Sequence, residues 1–418
     1  MFSLSKSARN SLLVILAMLA IFSRFSRDSD TPIPPTARIV GDSPTEELAL
    51  PPPKRPDKLI GDESLKGQLD LSLMEEVDSR YQVPLADGSI AILTLEPQWQ
   101  AAVESALERA QAPKAAVVVM RKDGTILALS GISNANSPLA KIDHQLAVTT
   151  WAPAASVFKV VTASALLQAG VHPKTKLCYH GGVRSIEQSN LSDSPKLDGS
   201  CNNLGFALAK SQNALIAKFS HRNLTPSNLG AMAANFGFGS APDFALATDK
   251  STIELPTDPL EFSRVAAGFW KTKLSPLGGA LVANLVASGG LAVSPRIVSE
   301  LRESDRTIPV EAKKPTRVLS NKVASSMAQM LTGTVRFGTA YKGFHDKGGN
   351  LLLVNTEVAG KTGSLTQTSP EYMAFSWFVG FTQPDDPDIT ISVLLGNAAQ
   401  WHLKAHTVAR LILQRGQK

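Results

Sequence analysis

The stretch "WAPAASVFKVVTASALLQAG" (151–170) limits the fold more than any other part of the chain. From Phe158 to Gly170 it is apolar on every side, the pattern of a helix buried among other elements. Gly170 is placed to cap its C-terminal end. Two polar residues interrupt the run, Ser156 and Lys159, three positions apart and so on one helical face. A lysine is almost never fully buried unless it is paired or used. Pro153 and Ala155 put Ser156 at or near the first turn. There the helix end favours negative charge developing on its oxygen. A serine hydroxyl is a weak nucleophile until a base stands beside it, and a lysine removed from water gives up its charge and becomes such a base. The plain alternative is a first-turn serine with a lysine whose stem reaches the surface. Ser3 and Lys6 match the same spacing in a basic flank, where they serve only as topology signals, so the pair needs further motifs to carry chemistry.

Two more motifs follow in order. "ALAKSQNALIAKF" supplies Ser211-Gln212-Asn213 within helical flanks, and "AGKTGSL" supplies Lys361-Thr362-Gly363-Ser364 just before the C-terminal strands. Ser200-Cys201-Asn202 also fits the serine-x-asparagine pattern, but it lacks the helical flanks and holds a cysteine with a better use. The ordered set S-x-x-K, S-x-N and K-T-G is shared by penicillin-binding proteins and serine β-lactamases.

From about Leu93 to its end the sequence resembles the transpeptidase domain of penicillin-binding proteins. The likeness includes "LTLEPQWQ", the hairpin "VVVMRKDGTILALSG", "SVFKVVTA", "SPLGGALVANLVASGG", "GTA" (338–340) and "SWFVGF" (376–381). It implies Ser156 as the acylated nucleophile and Lys159 as its base. Ser211 would relay a proton to the leaving group and Asn213 would hold the substrate amide. Lys361 and Thr362 would bind the donor's terminal carboxylate, Gly363 would allow close approach, and the N–H groups of Ser156 and Ser364 would form the oxyanion hole. One departure is Ala155, where many relatives carry glycine.

The resemblance implies a peptidoglycan D,D-transpeptidase acting on stem peptides, acylated by β-lactams and needing no metal or cofactor. Close alternatives are a D,D-carboxypeptidase or endopeptidase and a β-lactamase. Glu254 and Glu261 are the candidates for a deacylating glutamate, although neither is followed by asparagine in the E-x-x-L-N form. A β-lactam or muropeptide sensor, or a scaffold in a complex with cell-wall synthesis proteins, is the non-enzymatic alternative. His402 and His406 have metal-ligand spacing, but Leu403 stands where H-E-x-x-H needs glutamate. They are expected on a partly exposed helix.

The rest of the chain sets the context. The 418 residues are 43% apolar and 19% charged, enough to bury a sizeable core. A net charge of +6 without a long basic run argues against a nucleic-acid partner. Lys6 and Arg9 precede the uncharged stretch Asn10–Ser23, whose 14 residues fall short of the ~20 that span a bilayer. It reads as a signal-peptide core or short signal anchor, and the missing cleavage site favours the anchor. The expected location is the inner membrane by a single pass, with the catalytic domain periplasmic. Residues 28–60 carry eight prolines and read as a linker. From Arg24 to Ser156 is 132 residues, too few for a glycosyltransferase domain or a large pedestal. Cys178 and Cys201 in an exported chain suggest a disulfide, worth roughly 3 kcal/mol for a loop of that length; two separate thiols are the other reading.

The predicted organisation is anchor 1–27, linker 28–60, a short N-terminal module 61–90 and the transpeptidase domain 91–418. The fold class is α+β: one antiparallel sheet of about five strands drawn from both chain ends, flanked by helices and carrying a helical subdomain. The strands fall at the Asp123-Gly124 hairpin, at 372–382 and at 388–397, and helices at 98–112 and in "WHLKAHTVARLILQ".

Overall fold

The computed structural model describes residues 60–133, 141–183 and 185–417. The expected anchor, nearly all of the linker and the Ser3/Lys6 pair lie outside the described residues. Among the described residues no helix is long and apolar enough to cross a membrane.

A six-stranded antiparallel sheet forms the centre. Its order is Val358–Gln367, Met373–Thr382, Ile389–Asn397, Lys114–Arg121, Ile126–Ser133 and Lys141–Ile142. Five of these are long, and they come from the two ends of the domain. The hairpin between the fourth and fifth turns at Asp123-Gly124, where Gly124 has φ +95° and the Asp123 carboxylate accepts from the Thr125 amide. Both faces of the sheet are covered, which is why its strands read as apolar runs rather than as clean alternation. Val117, Val119, Ile391 and Val393 pack against Trp99, Val103, Val408 and Ile412 of the helices Pro97–Ala110 and Ala405–Gly416. Ala116, Val118 and Met120 point the other way, towards Leu277 and Ala280 of the helix Pro276–Ala287, as the two-residue strand period requires.

A second six-stranded sheet lies beside this core: Ile60–Gly61, Thr307–Glu311, Val298–Arg302, Ile90–Leu93, Arg80–Pro84 and Glu75–Val77. The residues expected as a short N-terminal module, 61–90, therefore share a sheet with strands more than 200 residues later. The buried Asp62 carboxylate ties the two together, accepting from the amides of Ala245, Ile297 and Val298.

The remaining helices form the subdomain. Lys159–Gln168 lies inside it, packed with Leu204–Ala209, Asn213–Asn223, Pro226–Asn235, Pro259–Ala266 and Asn321–Arg336 in one apolar cluster. Every residue from Lys159 to Leu166 is buried, as all-round apolarity predicts. The strand Val358–Gln367 is the sheet edge facing this subdomain, and the crevice between them holds the three motifs.

One sequence expectation is corrected here. The C-terminal helix begins at Ala405, so His402 precedes it and is exposed, whereas His406 is buried at 7% exposure. Its ring packs on Gly343, where a Cβ would come within 2.1 Å of it.

Candidate active site

Ser156 stands in a 3-10 turn, Ala155–Phe158, that runs into the helix starting at Lys159. The turn forces Ala155 to φ +49°, a left-handed conformation that costs a non-glycine residue about 1 kcal/mol. Gly268 makes room for it: a Cβ there would lie 2.3 Å from the Ala155 carbonyl oxygen. Thr162 Oγ1 donates to the Ala266 carbonyl at 2.7 Å, and Trp377 Nε1 donates to the Pro153 carbonyl at 2.9 Å. The segment that carries Ser156 is thereby fastened on its two sides, to the subdomain and to the sheet.

Lys159 Nζ lies 2.8 Å from Ser156 Oγ, 3.2 Å from Ser211 Oγ, 3.3 Å from the Ser211 carbonyl and 2.5 Å from Asn213 Oδ1. Ser211 adopts φ +56° in the loop between two helices, which turns its hydroxyl and carbonyl inwards. Lys361 Nζ donates to Ser211 Oγ at 2.9 Å and to the Thr362 carbonyl at 2.8 Å. Both lysines are fully buried. Burial, and then the nearby Lys361 charge, holds the Lys159 amine well below its ordinary range. Burial brings Lys361 down to about 7. Thr362 Oγ1 is hydrogen-bonded to Thr339 Oγ1 across the crevice. At Gly363 a Cβ would meet Val157 N at 3.3 Å and Trp377 Cβ at 3.2 Å, so glycine lets the strand run close against the turn that carries Ser156. Ser364 follows on the open side and is exposed.

Two cavities open beside Ser156. One, of about 580 Å³, is lined by Val183, Asn213, Gly268, Phe269, Ser364 and Thr366. The other, of about 420 Å³, is lined by Thr339, Thr362, Gly363, Ser364 and Trp401. Neither is lined by Glu254 or Glu261; Glu261 is held by Arg264 at 2.6 Å.

Cys178 and Cys201 are joined by a disulfide across a two-stranded ribbon, Lys176–Tyr179 with Ser200–Asn203. The loop beyond it reaches the site, because Asn213 Nδ2 donates to the Val183 carbonyl at 3.3 Å. Lys218, also fully buried, clamps this loop through Asp198 at 2.8 Å, Asp193 at 3.1 Å and the Cys178 carbonyl at 2.7 Å. Sequence reasoning gave Lys218 and Thr339 no role. The lysine in "IAKF" sits in an apolar helical run much as Lys159 does, and that signal could have marked it.

The sheet with helices on both faces, its edge strand walling a crevice over a helix-borne serine, is the fold of penicillin-binding proteins. Solved structures align with it at low identity: penicillin-binding protein A from Mycobacterium tuberculosis as an imipenem acyl-enzyme complex (TM-score 0.65, 23% identity, 79% of this chain and 80% of that one), and penicillin-binding protein 3 from the same organism (0.66, 21%, 85% and 86%). The family model for the penicillin-binding protein transpeptidase domain matches residues 114–414, and the chain belongs to that family. In sequence it is 28% identical over 260 residues to the peptidoglycan D,D-transpeptidase PbpA of Mycolicibacterium smegmatis, covering 60% of this chain and 50% of that protein. To stage V sporulation protein D of Bacillus subtilis it is 23% identical over 336 residues, covering 75% and 50%. The chain thus spans about half the length of the curated relatives it matches.

Proposed function

We propose that this chain is a peptidoglycan D,D-transpeptidase that cross-links stem peptides through an acyl-enzyme on Ser156 and is acylated there by β-lactams. The observation that carries the reading is the 2.8 Å approach of a buried lysine amine to a serine hydroxyl at the floor of an open crevice.

Hydrogen-bond capacity supports Lys159 as the base. A neutral Lys159 amine has two N–H donors and one lone pair. The donors go to Asn213 Oδ1 and the Ser211 carbonyl, and the lone pair faces Ser156 Oγ. The serine O–H then donates to Nζ and is poised to lose its proton as its oxygen attacks the penultimate D-alanine carbonyl. The amides of Ser156 and Ser364 receive the oxyanion, each worth about 3–4 kcal/mol. Ser211 Oγ lies between the two lysines and relays the proton to the departing D-alanine nitrogen. Lys361, still charged at neutral pH in part of the molecules, and Thr362 hold the terminal carboxylate. An amine of a neighbouring stem then takes the acyl group, and the cross-link forms.

The exported, membrane-bound location is part of the same proposal. It is supported by the basic-flanked apolar stretch 10–23 and by the disulfide, which an oxidising compartment preserves. So is the division into anchor 1–27, linker 28–60 and catalytic domain 91–418, with 61–90 built into a sheet of that domain. Peptidoglycan and, through the anchor, other cell-wall synthesis proteins are the partners this implies.

Intact-protein mass spectrometry after benzylpenicillin tests the chemistry. A single adduct at Ser156, absent from Ser156→Ala, is expected; full labelling of Ser156→Ala overturns the assignment. Incubation with a stem peptide and an acceptor amine separates the outcomes. A cross-linked product supports transpeptidation, and D-alanine release without transfer makes the chain a carboxypeptidase.

A further inference from the structure

We propose that the acceptor peptide enters through the basic side of the crevice. There Lys342, His402 and Lys404 would receive a carboxylate beyond the one next to its attacking amine. The inference rests on the transpeptidase reading and adds to it the path and charge class of the second substrate.

Geometry sets the path. The edge strand passes Ser156 from Lys361 to Thr366, so a donor held by Lys361 and Thr362 has its terminal D-alanine on the Thr339 side. The leaving amine and the acceptor amine are bonded in turn to the same carbonyl carbon. The acceptor therefore approaches along the route the leaving group vacates, and the rest of it projects outward past Thr339 and Thr362. That direction leads into the cavity of about 420 Å³ and on into one of about 350 Å³ that shares Thr339, Lys404 and His406 with it.

Charge sets the ligand class. Lys404 lines both cavities, and Lys342 and His402 line the outer one; all three are exposed. Among the described residues no aspartate or glutamate lines either cavity. Among the described residues neither Lys342 nor Lys404 is paired with a carboxylate. Lys404 instead stands 5.4 Å over the Trp401 ring, which keeps its ammonium at the rim. His406 forms the wall behind and stays neutral, brought down to about 4 by burial and then by the Lys404 charge. Unpaired cations around a path that a peptide must take favour a peptide carrying carboxylate. In the transfer step the acceptor nitrogen attacks the ester carbonyl, the C–N bond forms and the C–Oγ bond of Ser156 breaks. The amine proton passes through Lys159 to Ser156 Oγ.

A depsipeptide ending in D-alanyl-D-lactate as acyl donor, with D-glutamate and D-glutamine competing as acceptors, tests this directly. The two acceptors share the α-carboxylate, so contacts with Lys361 and Thr362 cancel in the product ratio. The wild type is expected to favour D-glutamate. Lys342→Glu/Lys404→Glu should lower the D-glutamate to D-glutamine ratio by about fivefold or more, with the single variant Lys404→Met falling between. Penicillin labelling at Ser156 reports that each variant is folded, and the ratio does not depend on the acylation rate. A ratio that Lys404→Met and the double variant both leave unchanged overturns the acceptor site alone. Hydrolysis without transfer to either acceptor in the wild type overturns the transpeptidase reading, and the acceptor site with it.

Discussion

Lys218 and the Lys159/Lys361 pair are all fully buried, yet their surroundings are opposite. Lys218 meets two carboxylates, Asp193 and Asp198, and one carbonyl. Lys159 and Lys361 meet hydroxyls, an amide oxygen and carbonyls, and Lys159 also the field of Lys361, with no carboxylate among the described contacts of either. A cation matched by anions stabilises the charged form and holds structure. A cation buried without them is pushed towards neutrality, which is the state a base requires. On the proposed mechanism the comparison separates a structural lysine from a chemical one by what stands around the ammonium, where burial alone does not.

The sharpest test exchanges the two roles. Lys159→Met should slow acylation by benzylpenicillin about 10²–10⁴-fold and leave the unfolding midpoint equal or higher, because a poorly solvated amine has been removed. Lys218→Met should do the reverse. Breaking a buried pair from one side costs about 3 kcal/mol, since Asp198, held well below the usual carboxylate range chiefly by His180 and then Lys218, loses a partner. Denaturant unfolding checks the stability and a stopped-flow acylation rate checks the chemistry. Equal stability losses in the two variants would erase the distinction.

Much of this site was legible because each motif is short, local and set in flanks with a clear period. Ser156 and Lys159 share a helix, and Lys361 to Ser364 share a strand. The strands at 372–382 and 388–397 lie within a residue of Met373–Thr382 and Ile389–Asn397. What was missed is non-local. Ile90–Leu93 pairs with Val298–Arg302, and nothing in either segment's alternation names its partner. Lys218 escaped notice because its partners sit in the loop at 193–198, fixed only once the chain has folded. His406 was placed half-exposed because helical period cannot show that Gly343 packs over it.

The two unpaired lysines also predict how the molecule answers to pH. In the proposed mechanism acylation needs Lys159 neutral, which its burial favours, and Lys361 charged, so its rate should fall as pH passes about 7, where Lys361 loses its proton. Lys361→Arg keeps the charge to high pH and should remove the alkaline fall in a pH–rate profile. Stability runs the other way. In the unfolded chain Lys361 holds its proton up to about 10.5, so between about 7 and that value the unfolded state binds more protons. Folding stability should therefore climb over that window, and Lys361→Met should remove its own share of the climb, leaving that of Lys159, in urea titrations at pH 7 and 9. A profile that Lys361→Met leaves unaltered would place the titrating group elsewhere.

The smallest expected effect lies in the backbone beneath the pair. Ala155 is held at φ +49° by the turn that presents Ser156, and Gly268 already leaves space against its carbonyl. Glycine at 155 would remove about 1 kcal/mol of left-handed strain while adding about 0.4–1 kcal/mol of unfolded-state freedom. Ala155→Gly should thus change stability by less than about 1 kcal/mol. The informative readout is the ratio of acylation rates. If alanine is tolerated because the flanking bonds of Thr162 and Trp377 already fix the turn, the rate should stay within about threefold of wild type. A large loss in Ala155→Gly would mean that the alanine itself stiffens the approach of Ser156 to Lys159, and that the chemical lysine depends on its backbone as much as on its burial.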